Sequence, residues 1–114
     1  MKNQEKRSEI KKKIDRIEED ILENEREIRR LSEEIDDIFD IKRQSDSEYG
    51  EILEYWKGSP AYKRMYESNE RRGNMLRKLI ESREENLKDA KEKKKKLVAT
   101  QEDLRYKYTT LEEA

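Results

Sequence analysis

The sequence predicts an all-α fold: an antiparallel two-helix coiled-coil hairpin with its turn at Lys57–Ser59. Three observations point there. Half of the residues are charged and only 31% are hydrophobic, a mixture that with sustained heptads makes long helices rather than a globule. Apolar residues recur at alternating steps of four and three along both halves of the chain, the spacing of a coiled-coil seam. Finally, the single proline, Pro60, follows Gly58 and Ser59 near the midpoint of the 114 residues, a stop signal and a start signal side by side. One domain is expected, residues 1–114 as a single hairpin: a helix over about 4–57, a turn over 57–60, and a helix over about 60–111.

The first helix is written in the seam Ile10, Ile14, Ile17, Ile21, Asn24, Ile28, Leu31, Ile35 and Ile38. The same frame continues through Lys42, Ser45, Tyr49, Ile52 and Trp56. Lys42 and Ser45 occupy positions that want apolar side chains, and Gly50 lowers local helix stability. A bend or frayed turn is therefore expected near 42–50.

The turn follows from three residues. Gly58 takes the left-handed conformation that closes a helix. Ser59 is the N-cap of the next helix, and Pro60 fits its first position, where a missing N–H costs nothing. The second helix resumes the frame at Tyr62, Tyr66, Asn69, Gly73, Leu76 and Ile80, and continues to Leu111 without another break.

Folding one arm on the other with Trp56 opposite Tyr62 pairs residues whose numbers sum to 118. This register matches apolar layers such as Trp56/Tyr62, Ile52/Tyr66, Ile38/Ile80, Leu31/Leu87 and Ile28/Ala90. It also sets Asn24 against Lys94, Ser45 against Gly73 and Tyr49 against Asn69. The Asn24/Lys94 layer is expected to fix register at some expense in stability. Beside it, Glu25 should lie near Lys91, and Glu27 near Lys93. Ile35/Arg83, Lys42/Leu76 and Ile17/Gln101 are the poorly matched layers.

Two helices cannot enclose a core, so seam side chains stay partly wet, and the hairpin is expected to want a partner. The flanks near the turn carry an apolar excess: Ile41, Tyr55, Met65 and Leu79 on one side, Phe39 and Leu53 on the other. The plain reading is a thicker core. The functional reading is a face for helices of another chain. Away from the turn the flanks read as almost wholly charged.

Composition narrows the chemistry. Without Cys or His, the chain has no thiol nucleophile, no disulfide and no ordinary zinc ligand set. Its carboxylates have no Gly-rich turn or neighbouring His to recruit them. We expect no enzyme, no metal and no cofactor. A net charge of −1 gives no global attraction to nucleic acid or membrane, and neither is expected as a partner. The run Lys91–Lys96 is locally basic, but it faces acidic residues of the first arm and reads as an internally compensated face. Met1 to Ile10 has no apolar core of the kind a Sec-type signal carries, so none is expected, and no run is long enough to span a membrane.

With Trp56, Gly58 and the two arms in place, the chain resembles the WXG-type helical hairpin superfamily of type VII secretion. The motif reads Trp56-Lys57-Gly58. The Tyr followed four residues later by an acid that the family carries at the end of its second helix reads Tyr108 to Glu112. The usual small secreted members have less charge and more Ala, Gly and Ser, and commonly form four-helix dimers. This chain is more similar to the slender, charged accessory proteins that accompany LXG toxins in Gram-positive bacteria. The resemblance implies a non-enzymatic targeting factor or chaperone, made in the cytoplasm and exported, if at all, with its partner. It implies pairing with the helical N-terminal LXG domain of a toxin, with a second small helical hairpin as a further member. The composite would present Trp56, Gly58, Tyr108 and Glu112 to the secretion ATPase, and the chain alone has the option of a homodimer. The alternatives are a structural coiled-coil spacer or homo-oligomerisation module, and a nucleic-acid-associated hairpin using the lysine run.

Overall fold

A computed structural model of the chain describes residues 2–113, the side chains of Glu112 and Glu113 excepted. It is an all-α two-helix hairpin: α1 spans Lys2–Tyr55 and α2 spans Tyr62–Glu113. Both are rich in Lys, Glu and Arg, residues that lose little side-chain freedom in a helix. Exposed pairs one turn apart, such as Lys11–Asp15 at 3.0 Å and Lys107–Asp103 at 3.3 Å, line their outer faces, and each such pair adds little.

The turn forms as its residues dictate. Gly58 has φ +86°, in the region that side chains with a Cβ avoid. Ser59 N–H donates to the Trp56 carbonyl at 2.9 Å, and the Ser59 hydroxyl accepts from the Ala61 N–H at 3.2 Å. Ser59 thus caps the incoming helix, and Tyr62 N–H bonds the Ser59 carbonyl at 3.1 Å. Regular helix stops at Tyr55 and restarts at Tyr62, two residues inside each expected boundary, because the residues between make tight turn bonds instead.

The chain divides into two compact units: Met1–Arg30 with Lys88–Ala114, and Leu31–Leu87. In the first (unit 1), the antiparallel segments bury Ile14, Asn24 and Ala90. In the second (unit 2), which contains the turn, they bury Leu31, Ile35 and Ile80. Three cross-helix ion pairs follow the expected register to within a residue, Glu34–Arg83 at 3.2 Å and Asp46–Arg72 at 2.7 Å in unit 2 and Glu25–Lys94 at 3.5 Å in unit 1, whereas the long side chains of Glu18 and Arg105 reach further along unit 1 to meet at 3.4 Å.

Two expectations about unit 2 need correction. α1 runs through 42–50 without a frayed turn. Lys42 turns to Asp46 at 2.8 Å, and the Ser45 hydroxyl donates to the Ile41 carbonyl at 2.8 Å, so neither leaves an unsatisfied group in the seam. Ile35 is buried despite facing Arg83, because the guanidinium swings to Glu34 and leaves its apolar stem to cover the seam.

Candidate interaction sites

The turn carries an aromatic cluster. Tyr55 and Trp56 meet edge to face, centroids 5.7 Å apart, and Tyr62 lies 6.3 Å from Tyr66. Trp56 is 41% exposed and Tyr55 82%. Trp56 therefore does not plug the tip as a core residue would. Ile52 and Tyr66, paired as an apolar layer by the register, are exposed as well. The seam is covered around Leu31 and Ile80 and opens toward the turn. Two helices offer each seam residue neighbours on one side only, and beside the turn there is no further layer beyond it.

The six flank residues all belong to unit 2. Phe39, Ile41, Tyr55 and Leu79 are exposed, while Leu53 and Met65 are half-buried. Sequence reasoning missed Met75, which is exposed one turn before Leu79 and extends the same stripe of α2. The flanks of unit 1, read as almost wholly charged, include two exposed apolar side chains, Leu22 and Tyr106.

The end-of-helix motif is half described. Tyr108 is half-buried, and its ring lies under the Arg7 guanidinium at 4.3 Å, a cation–π contact across the hairpin. The side chain of Glu112 lies outside the described residues. The same spacing at Tyr66 and Glu70 brings phenol and carboxylate together. That hydrogen bond, followed by the carboxylate's charge, holds the Tyr66 pKa above the ordinary phenol value.

The polar layer differs from expectation. Asn24 is buried, 5% exposed, and its Nδ2 donates to the Ala90 carbonyl at 3.0 Å rather than meeting the Lys94 side chain. Lys94 reaches outward to Glu25 instead, so Glu25 pairs with Lys94 and not with Lys91. An ammonium keeps its hydration by leaving the seam, and the short amide takes the backbone carbonyl that remains. Asn24 Oδ1 is buried without a donor. Asn24 lines a groove of about 660 Å³ whose walls are Asp20, Glu23, Glu27, Asp89 and Lys93, with Ala90 and Leu97 as apolar floor. Glu27 has its pKa lowered chiefly by its hydrogen bond from Arg30, with a smaller contribution from Lys93.

A second polar centre escaped the sequence reading. Arg72, whose side chain is 15% exposed, donates from Nη2 to Asp46 at 2.7 Å and to the Asn69 side-chain oxygen at 2.6 Å. It also bonds the Ser45 hydroxyl and lies 4.7 Å above the Tyr49 ring. One guanidinium thus fills the Ser45/Gly73 layer and intervenes in the Tyr49/Asn69 layer. The available signal was the small Ser45/Gly73 pair itself, a seam layer without a large side chain. Asp46 is held below the usual carboxylate pKa by its hydrogen bonds, first from Lys42 and then from Arg72.

Among the described residues no group of three or more carboxylates could hold a metal ion. No described helix is long and apolar enough to cross a membrane. Comparison of the chain with protein-family models, with curated proteins and with solved structures finds no match.

Proposed function

We propose that this chain is a non-enzymatic targeting factor or chaperone that binds the helical N-terminal LXG domain of a toxin and helps deliver it to a type VII secretion system. The observation that carries the reading is the open seam of unit 2. Seam residues Ile52, Trp56 and Tyr66 stand exposed toward the turn, and Phe39, Ile41, Tyr55, Met75 and Leu79 stand exposed on the flanks of the same unit. Exposed apolar faces on a two-helix unit are completed by further helices in a bundle. The resemblance of Trp56-Lys57-Gly58 supplies the kind of partner.

Co-expression with the LXG domain of a toxin encoded beside this chain tests it. The expected result is a stoichiometric complex that co-purifies and melts above the free chain. Ile41→Glu, Met65→Glu and Leu79→Glu together should abolish the complex while helicity persists. Trp56→Ala and Tyr108→Ala should block toxin export with the complex retained. A free chain that is stable and ignores the LXG domain would instead support the spacer reading.

A further inference from the structure

Unit 1 carries two unlike faces on opposite sides of α2. One is the groove at Asn24. There Asp20, Glu23 and Asp89 have no hydrogen-bond or ion-pair partner among the described residues, and Lys93 is the one cation lining it. Its floor includes a buried acceptor, Asn24 Oδ1, with no donor. Such a surface favours an occupant that brings an apolar body, positive charge and donors only, which describes a lysine-flanked helix. The carboxylates are spread along the groove and do not converge as a metal site would.

The helical period places Lys91, Lys95 and Val98 on the far side of α2 from Asp89 and Lys93. Leu22, 52% exposed, and Val98 line a shared surface there. Two carboxylates beside them are already engaged, Glu18 by Arg105 at 3.4 Å and Glu25 by Lys94 at 3.5 Å, while Glu102 at the end of the lysine face has no ion pair among the described residues. Lys91 and Lys95 have no ion pair among the described residues. The lysine run is therefore compensated only in part within the chain.

The geometry points to a second copy of this chain as the occupant of the acidic groove, entering with its Lys91, Lys95 and Val98 face. Residues 20–27 of α1 and 91–98 of α2 each span roughly 10 Å at the helical rise, so the two surfaces match in length, charge and apolar centre. Each molecule then offers one groove and one lysine face. The contact is head-to-tail, and assembly continues past a dimer. This inference is independent of toxin binding.

Sedimentation of the full chain tests it, at ionic strengths from about 0.01 M to about 1 M, over which the Debye length shrinks from roughly 30 to 3 Å. At low salt the average mass should climb past a dimer with concentration, and high salt should reverse it. Asp20→Lys with Glu23→Lys, and separately Lys91→Glu with Lys95→Glu, should each raise the dissociation constant roughly tenfold or more, given the strength of surface ion pairs. Helicity should not change, and an equimolar mixture of the two variants should associate again. A chain monomeric throughout at low salt overturns the inference, and so does association indifferent to both reversals. Binding of a helical lysine-rich peptide by a chain that stays monomeric also overturns it, and assigns the groove to a foreign helix.

Discussion

Asn24 uses its amide donor on the Ala90 carbonyl and leaves its acceptor empty in a buried place. A buried polar atom without a partner costs about 1–3 kcal/mol, and the Ala90 carbonyl, inside α2, keeps its helical donor when the Asn24 amide is removed. Asn24→Leu should therefore raise stability by roughly 1 kcal/mol, read as a higher urea midpoint with unchanged slope. A lower midpoint would mean that the Ala90 bond outweighs the orphaned oxygen. Gly58 poses the opposite case. A Cβ there meets nothing within 4 Å, so Gly58→Ala carries only the conformational penalty of φ +86°, about 1–2 kcal/mol. Asn, which tolerates this region better, should recover part of the loss. Equal stability of Gly58→Ala and the parent would show that the turn relaxes to another geometry.

At the scale of the paired helices, Arg72 joins α1 to α2 in unit 2. Arg72→Met strips Ser45, Asp46 and Asn69 of a shared donor and should destabilise by about 1–3 kcal/mol in urea titration. Arg72→Lys should rescue little, because an ammonium cannot serve three acceptors in one plane or stack on Tyr49 in the same way. The network also makes stability depend on pH. Asp46 has a folded pKa below its ordinary value of 3.8. Its contribution is fully present above that value and is lost as pH falls through the lower folded one. Asp46→Asn should flatten this part of the acid limb in urea titrations taken across it. An acid limb identical to the parent's would remove Asp46 from the account.

Much of this architecture was legible, for physical reasons. A turn built from Gly58, Ser59 and Pro60 acts locally, through a positive φ, a side-chain cap and a fixed ring, and needs no tertiary information. The heptad frame is likewise periodic and survived three poor layers. What escaped depends on where long side chains go. A position opposite a seam residue does not say whether Lys94 enters the seam or leaves it for Glu25, or that Arg72, one residue off the frame, fills the space beside Gly73. The six flank residues were readable because helical period alone assigns each of them to one or other side of the seam. The exposure of Ile52, Trp56 and Tyr66 was not, because apolar pairing of layers says nothing about how much of each pair two helices can cover.

Across the whole molecule, full burial among the described residues is confined to a few seam positions, Ile14, Leu31, Ile35, Ile80, Ala90 and Asn24, and the other side chains are half-buried or exposed. Stability should therefore be uneven, with the seam around the turn opening most readily. A partner that supplies helices to unit 2 would protect that region first. Amide hydrogen exchange, followed peptide by peptide in the free chain and in the presence of the LXG domain, measures this most directly. Rapid exchange is expected over residues 49–66 in the free chain, slower exchange around 28–38 and 76–90, and strong slowing over 49–66 on binding. Slow exchange over 49–66 in the free chain, or a complex that leaves those amides as fast as before, would contradict this expectation.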